Sequence, residues 1–423
     1  MRRQSDREGA KSFGDSSGRA SSSDHRDFEF NLREFGGALG DFGTLFPLAV
    51  GYIAVNDLNP AGLFVMLGLT NIALGLIYRL PMPLQPKKVI AAVAIGQGWS
   101  PSLITASGFG MGLTWFFLIV TGLLRKLIEW TPTFLVRGIQ LALGLTLGWQ
   151  AIKMITPAPL LGVLAIAIVL VLRQNRYAPA SVVLILLGVA MAAWRGDLRG
   201  LRFAFTLPPL TVPRPADVGR AMVLAGFAQI PLSVTNAVMA TATTIRDYFP
   251  DKAVSERKLM LNMGLMNVAA SFFGGMPMCH GAGGLAAQYY FGARTGGTPI
   301  MEGLVEIGIG LFLSRSIADV MRAFPMPLVG GMLFLVGIQL GFPVAKLRGW
   351  PLALALATAA ISATTNIGVG FIAGLGLSHL VRVLCRRGVL PCLCPAQDTA
   401  ESQDTCVSDD GVTSDEDEGL HNA

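Results

Sequence analysis

The chain has 423 residues, of which 52% are hydrophobic and 14% are charged, and its mean hydropathy is +0.55. This balance is too apolar and too poor in charge for a soluble protein of this size, so it predicts a polytopic membrane protein. The net charge of +6 does not indicate nucleic-acid binding, because Lys and Arg gather at the chain ends and in short loops. The sequence has no GxSxG, HExxH or Walker-type motif, which argues against an enzyme and against ATP-driven transport.

The two ends of the chain differ from its apolar middle. Residues 1–29 are polar and Ser-rich and lack the apolar stretch of a secretory signal, which predicts a disordered tail. Residues 389–423 are acidic and poor in apolar residues, which predicts a second disordered tail. Four of the five cysteines lie in or near it, and Cys392 and Cys394 lack the spacing of a zinc site. We therefore expect no disulfide framework, no metal and no cofactor.

Apolar segments fill the middle of the chain, seven in each half. In the first half, residues 30–194, we predict segments at 36–55, 60–78, 87–97, 102–124, 133–152, 160–172 and 179–194. A polar, Pro-rich linker occupies residues 195–216. In the second half, residues 217–388, we predict segments at 218–245, 259–273, 280–292, 297–313, 327–341, 351–365 and 368–384. Because seven is an odd number, the two halves must cross the membrane in opposite directions.

The third segment is interrupted by prolines, although it sits where a membrane span belongs. Residues 80–97 read LPMPLQPKKVIAAVAIGQ, and Pro81, Pro83 and Pro86 exclude a continuous helix at the start. We predict an extended entry followed by a half-helix that begins at Lys87. The free N–H groups and positive dipole at such an N-terminus suit an anion. The alternative is a membrane helix that is only kinked by proline.

The second half repeats this design. Residues 275–294 read GMPMCHGAGGLAAQYYFGAR, so that Met276-Pro277 aligns with Met82-Pro83. Another pair, TPTFLVRGIQLALG and FPMPLVGGMLFLVG, matches at nearly the same offset and aligns Gly144 with Gly337. Generic similarity among apolar helices is the alternative, but a shared offset favours an inverted repeat. Two broken segments at matching places are the best sequence indication of a transporter's substrate site.

Several ionisable residues lie within the apolar segments. Asp41 in the first span is a candidate for proton coupling, and the alternative is that it caps a broken helix. Glu302 and Glu306 share one helix face. We expect Glu302 at the membrane interface and treat the deeper Glu306 as a second, weaker proton site.

The candidate substrate ligands cluster at the two half-helices. At the first they are Gln85 and Lys88, and a snorkelling lysine at 87 or 88 is the alternative. At the second half-helix we single out Cys279, His280, Gly281 and Gly283, whose glycines allow backbone N–H groups to approach a ligand. The segment AQIPLSVTN adds Gln229 and Asn236, for which contacts between helices are the alternative role.

Together these motifs resemble a known family. The stretches NLREFGGALGDFGTLFPL, PMPLQPKKVIAA, AQIPLSVTNAV and MPMCHGAGGLAAQYYFGARTGG resemble the molybdate transporters related to sulfate permeases, over nearly all of residues 30–387. The resemblance implies an all-α polytopic membrane protein, a 7+7 inverted-repeat transporter with two half-helices, similar to sulfate permeases and uracil transporters. It also implies a core domain that moves against a gate domain. Sulfate permeases proper carry a C-terminal cytoplasmic domain, and none follows here.

Two positions depart from the family pattern. Lys87 stands where relatives have an apolar residue, so Lys88 is the matching lysine, and Tyr290 stands where an Arg is usual. The expected function is proton-coupled, secondary active transport of molybdate by alternating access. Sulfate transport and a passive anion channel are the alternatives.

The expected partners are molybdate or sulfate and the lipid bilayer, with a homodimer as the candidate assembly and no nucleic acid. Lys and Arg in alternate loops place both termini in the cytoplasm, most simply at the plasma membrane. Arg195, Arg199 and Arg202 in the linker are exceptions to this bias.

Overall fold

The computed structural model describes residues 27–124, 126, 132–172, 180–196 and 202–386. Both predicted disordered tails, with Cys392 and Cys394, lie outside these residues, apart from residues 27–29. Within them, five helical stretches are long and apolar enough to cross a membrane: Leu32–Ala54, Pro60–Tyr78, Pro101–Thr121, Pro215–Tyr248 and Met326–Lys346. The chain is therefore mainly helical, as the composition predicts.

The first half begins with α1 (Leu32–Ala38), a single 3-10 turn (Leu39–Asp41) and α2 (Phe42–Ala54). There follow α3 (Pro60–Tyr78), the short strand β1 (Gln85–Pro86), α4 (Lys88–Gln97), α5 (Pro101–Thr121), α6 (Thr133–Ile155), α7 (Pro159–Leu172) and α8 (Ala180–Arg195). The predicted segments match these elements to within a few residues.

The second half begins with a long helix, α9 (Pro215–Tyr248). After it come α10 (Glu256–Phe272), strand β2 (Met278–Cys279), α11 (Ala282–Phe291), α12 (Gly297–Phe312), α13 (Ser314–Ala323), α14 (Met326–Gly341), α15 (Gly349–Thr364) and α16 (Ile367–Arg386). The sequence prediction contains no element at α13. This helix is amphipathic and carries Arg315 and Asp319, so hydropathy alone does not detect it.

Helix ends follow elementary signals in the sequence. Asn59 and Ser100 accept hydrogen bonds from backbone N–H groups at the starts of α3 and α5, and proline occupies the first position of each helix. Gly98 and Gly292 adopt positive φ angles, 62° and 115°, where α4 and α11 end. A glycine with a positive φ angle therefore ends each of the two half-helices.

The extended entries of the two broken segments pair with each other. β1 and β2 are antiparallel, with Gln85 opposite Cys279 and Pro86 opposite Met278. The backbone N–H of Lys87 donates to Pro277 O at 2.9 Å and extends the pairing. The predicted half-helix starts are wrong by one and two residues, because Lys87 and Gly281 are extended caps and regular helix begins at Lys88 and Ala282.

The pairing obeys a two-fold relation between the halves. Cys279 follows Pro86 by 193 residues, so at this offset Cys279 is the equivalent of Pro86 and Met278 is the equivalent of Gln85. Gln85 pairs with Cys279 and Pro86 pairs with Met278, as a two-fold axis between the strands requires. Gly144 and Gly337 share this offset and lie against each other in α6 and α14. A Cβ on either glycine would lie 2.5 Å or 2.8 Å from the carbonyl oxygen of the other. Both observations agree with the repeat predicted from sequence.

The helices form two groups. The first, here the core group, contains α1–α5 and α9–α12, with α3 packed on α12 and α5 packed on α10. The second, the gate group, contains α6–α8 and α14–α16, with α6 packed on α14 and α15. The groups touch through α4 against α6, through α9 against α16, and through α2 against α14 and α8. This division provides an internal boundary at which a site can open.

The linker between the halves is extended where it is described. Residues 197–201, with Arg199, lie outside the described residues. Beyond them, Ala204 and Thr206 donate backbone hydrogen bonds to the end of α12, and Thr211 donates to Phe272 O at the end of α10. The linker is thereby fastened to the core group, and the exact domain boundaries stay a prediction.

Candidate functional site

A cavity of about 180 Å³ lies between the core and gate groups. It is lined by Thr44, Lys88, Gln140, Leu232, Asn236, Val336, Gln339 and Leu340. The core elements α2, α4 and α9 form one wall, and the gate helices α6 and α14 form the other. Among these lining residues the sole charge is the Lys88 ammonium, and the other polar groups are hydroxyl and amide groups that can donate hydrogen bonds. The lining therefore favours an anion.

Lys88 occupies the first helical position of α4 and is half-buried at the cavity wall. Its ammonium adds to the positive end of the helix dipole, which is an arrangement that an unliganded helix would not favour. Asn236 lies on the same wall, in a π-helical stretch, Ser233–Ala240, that follows Pro231 within α9. Pro231 also interrupts the regular hydrogen bonding of α9, because proline removes a donor and clashes with the turn before it. Both predicted ligands thus reach the cavity.

Gln229 lies one layer behind the cavity wall. Its side-chain oxygen accepts a 2.8 Å hydrogen bond from the backbone N–H of Val89, in the first turn of α4. Its side-chain nitrogen donates to Ser233 Oγ at 2.8 Å. Gln229 therefore caps the half-helix and holds α9 against it, and it is not among the residues that line the cavity.

Asp41 and Gln85 form a buried pair beside the half-helices. The Gln85 side-chain amide donates to Asp41 Oδ1, while Asp41 Oδ2 and Gln85 Oε1 have no hydrogen-bond partner within the described part of the chain. Gly284 in α11 packs on this pair, because a Cβ there would lie 2.7 Å from both Asp41 Oδ1 and Gln85 Nε2. The pair joins the turn before α2, strand β1 and helix α11. Sequence reasoning selected Gly281 and Gly283 and missed Gly284.

The predicted ligands of the second half-helix do not line the cavity. The Cys279 thiol is buried 4.0 Å from Pro86 O, and His280 is fully buried with Nδ1 3.3 Å from Pro83 O. A Cβ on Gly281 would lie 2.8 Å from Gln85 Oε1, whereas Gly283 faces open space with nothing within 4 Å. Residues 279–281 therefore support β1 and the Asp41–Gln85 pair from behind.

Two glutamates lie deeper in the core group. Glu306 is buried on α12, and its Oε2 accepts a 2.8 Å hydrogen bond from Asn71 Nδ2 on α3. Glu302 is also buried, at 5% exposed, and its expected place at the membrane interface stays a prediction. Packing of α3 on α12 through Gly68 and Gly303 brings both carboxyl groups inside. Neither lines the cavity, and the described residues contain no group of three His, Cys, Asp or Glu that could hold a metal.

Sequence reasoning missed two sets of residues. Thr44, Gln140 and Gln339 line the cavity, but a polar residue in an apolar helix does not reveal which neighbour it faces. The other is Lys87, for which snorkelling was one expectation. It is fully buried, its ammonium lies 5.5 Å from the centre of the Trp115 ring, and it has no hydrogen-bond partner among the described residues. A fully buried ammonium does not snorkel, so that expectation is wrong for Lys87.

Comparison with known sequences identifies relatives of the chain. A family model described as a molybdate transporter of the MFS superfamily matches residues 33–147 and 221–340. Molybdate transporter 1 of Arabidopsis thaliana is 31% identical over 402 residues, which cover 82% of this chain and 87% of that protein. Molybdate transporter 2 of the same plant is 30% identical, with 83% and 87% covered. Molybdate transporter 1 of Chlamydomonas reinhardtii is 28% identical, with 81% and 90% covered.

Solved structures identify the fold. The transmembrane domain of a cyanobacterial bicarbonate transporter, BicA, superposes with a TM-score of 0.61 at 15% identity, covering 81% of this chain and 96% of that one. The murine anion transporter Slc26a9, in its inward-facing state, gives a TM-score of 0.63 at 13% identity, covering 84% and 69%. The chain is thus an integral, multi-pass membrane protein with the 7+7 inverted-repeat fold. Its activity is anion transport and not enzymatic catalysis, and the chain belongs to the molybdate transporter family.

Proposed function

We propose that this protein is a secondary active transporter of molybdate that binds the tetrahedral dianion at the N-terminus of α4. One observation carries the proposal, namely the cavity between the core and gate groups whose only lining charge is Lys88. The relatives from Arabidopsis and Chlamydomonas are molybdate transporters, and they suggest the substrate. A doubly charged oxyanion gains from charge-assisted hydrogen bonds and from the helix dipole at the same place.

The oxyanion has four oxygens and the cavity offers donors on several sides. The Lys88 ammonium and the α4 dipole face it from one direction. The Thr44 hydroxyl and the amides of Asn236, Gln140 and Gln339 surround the remaining space. The start of α11 contributes indirectly to the site, because the β1–β2 pairing fixes α11 behind α4. In this scheme Lys88 binds the anion, whereas Gln85, Gln229, Cys279, His280, Gly281 and Gly283 hold the half-helices in place.

Alternating access requires the cavity to open toward each side in turn. Its two walls belong to different helix groups, which touch through α4–α6, α9–α16, α2–α14 and α2–α8. A rigid-body movement of the core group against the gate group would carry the anion with Lys88, Thr44 and Asn236, and it would break the contacts with Gln140 and Gln339 on the gate wall.

Asp41 is the proposed coupling residue, with Glu306 as the second candidate. Asp41 lies beside the half-helices, and one of its carboxyl oxygens is buried without a hydrogen-bond partner among the described residues. A carboxyl group in this position can hold a proton, and its hydrogen bond with Gln85 connects it to strand β1, just before the half-helix. Glu306 lies deeper in the core group, and its carboxyl group already accepts a hydrogen bond from Asn71.

The proposed orientation places both termini in the cytoplasm of a plasma-membrane protein. Asp27, at the start of the described chain, accepts from Lys252 at 2.9 Å and from Arg79 at 2.6 Å. The Lys252 hydrogen bond, with a smaller effect of Arg79, holds the pKa of Asp27 below its usual value. These basic residues cluster at one end of the core group, as the positive-inside rule predicts for the cytoplasmic face. A homodimer remains the proposed assembly.

The test is uptake of labelled molybdate and of labelled sulfate into vesicles that contain the purified protein, with and without an imposed proton gradient. Saturable molybdate uptake that a proton gradient accelerates would support the proposal. Faster or tighter uptake of sulfate than of molybdate would identify sulfate as the substrate. Flux that rises linearly with concentration would favour a passive anion channel.

A further inference from the structure

The inference concerns Lys87, which the site described above does not use. Lys87 caps α4 in an extended conformation, directly before Lys88. Its side chain is fully buried in the core group, and its ammonium has no hydrogen-bond partner among the described residues. Because an ammonium without a partner is costly to bury, packing alone does not favour a lysine at this position.

The surroundings of Lys87 stabilise a cation but do not neutralise it. The face of Trp115, on α5, lies 5.5 Å from the ammonium and attracts a positive charge through its quadrupole. The titratable groups that interact with Lys87 electrostatically are Cys279 and His280, across the β1–β2 pairing, and neither is an acid of carboxyl strength. A buried ammonium without a counter-charge is costly, and an anion bound nearby would compensate that charge.

An anion in the cavity at Lys88 would lie at the half-helix start that also carries Lys87. The two lysines are adjacent at the start of one half-helix, and one reaches the cavity while the other lies behind it. We infer that Lys87 is a second, non-contacting cation that makes the site select doubly charged oxyanions over singly charged ones of the same size. The inference rests on the proposed function, because it concerns the same site.

The expected effect follows from Coulomb's law. If the separation between the Lys87 ammonium and an anion at Lys88 is taken as about 12 Å and the effective dielectric constant as about 20, the charge of Lys87 changes the affinity roughly tenfold for each unit of anion charge. A dianion therefore gains about tenfold more from Lys87 than a monoanion does. Molybdate and perrhenate form the appropriate pair of probes, because both are tetrahedral oxyanions of similar size and they differ by one charge.

The experiment compares Lys87→Met with the wild type in proteoliposomes. Unlabelled molybdate and perrhenate compete with labelled molybdate, and the ratio of their half-inhibitory concentrations is measured. We expect the preference for molybdate to fall about tenfold in Lys87→Met, with an unfolding temperature in detergent that is no lower than that of the wild type. Lys87→Gln, a second neutral variant, should show the same loss.

The control is Lys153→Met, in which an exposed lysine 5.6 Å from the Trp149 ring is removed on the gate side. It should leave the ratio unchanged. An unchanged ratio in a folded Lys87→Met or Lys87→Gln protein, or an equal shift in the control, would overturn the inference. If the wild type carries sulfate in place of molybdate, the proposed substrate fails. The role of Lys87 is then tested with sulfate against perchlorate, which also differ by one charge.

Discussion

Gly284→Ala tests whether the Asp41–Gln85 pair is held in place by close packing of α11. The new Cβ would lie 2.7 Å from Asp41 Oδ1, 2.7 Å from Gln85 Nε2 and 2.8 Å from Pro83 Cβ. Pro83 and Gln85 lie at or just before strand β1, which its pairing with β2 holds in place, and Asp41 lies in a buried turn before α2, so no single side chain can relieve the overlap. Overpacking of this kind costs about 1–3 kcal/mol.

Gly283→Ala is the matched control, one residue earlier in the same helix. Nothing lies within 4 Å of a Cβ at Gly283, and alanine is the better helix former by roughly 1 kcal/mol. Because this gain is common to both variants, they should differ by the overpacking cost of about 1–3 kcal/mol in stability, with Gly284→Ala less stable. Thermal unfolding in detergent and molybdate uptake are measured on both. Equal stability and equal uptake of the two variants would refute the account of the Asp41–Gln85 pair.

Three further outcomes are expected. Lys88→Ala should raise the half-saturation concentration for molybdate uptake by roughly tenfold or more and leave expression intact, because a charge-assisted contact contributes about 1.5–3 kcal/mol; an unchanged value would remove Lys88 from the binding site. Asp41→Asn should abolish proton-driven accumulation but leave exchange of molybdate across the membrane, and a retained pH dependence of uptake would exclude Asp41 from coupling. Gly281→Ala should lower molybdate uptake more than sulfate uptake, because the Cβ displaces Gln85 and narrows the site for the larger ion; equal losses in filter-binding uptake assays would place selectivity elsewhere.

The sequence predicts well the features that depend on the backbone preferences of particular residues and on repeated motifs. Pro81, Pro83 and Pro86 cannot lie in a continuous helix, so the extended entry and the half-helix follow directly. The repeat follows from paired motifs at one offset, and the contact of Gly144 with Gly337 agrees with it. Lys88 and Asn236 were assigned to the site and both line the cavity.

The features that the sequence does not predict depend on which direction a side chain points. Lys87 and Lys88 are neighbours with the same chemistry, yet one is fully buried beside Trp115 and the other lines the cavity. Gln229 is polar like Asn236, but it caps α4. The gate residues Gln140 and Gln339 belong to helices that meet the half-helix only in the folded chain. The order of residue types along the chain does not specify which of these tertiary contacts each side chain makes.

The pairing of β1 with β2 has a consequence for the origin of the protein. Inside a bilayer, backbone groups at an interrupted helix must find partners within the protein. For Gln85 and Lys87 those partners belong to the other repeat, at Cys279 and Pro277. A single repeat inserted alone would leave its own strand unpaired in the lipid. Two identical copies could pair only if they entered the membrane in opposite orientations, so an ancestral one-repeat form must have been an antiparallel dimer before fusion joined its halves.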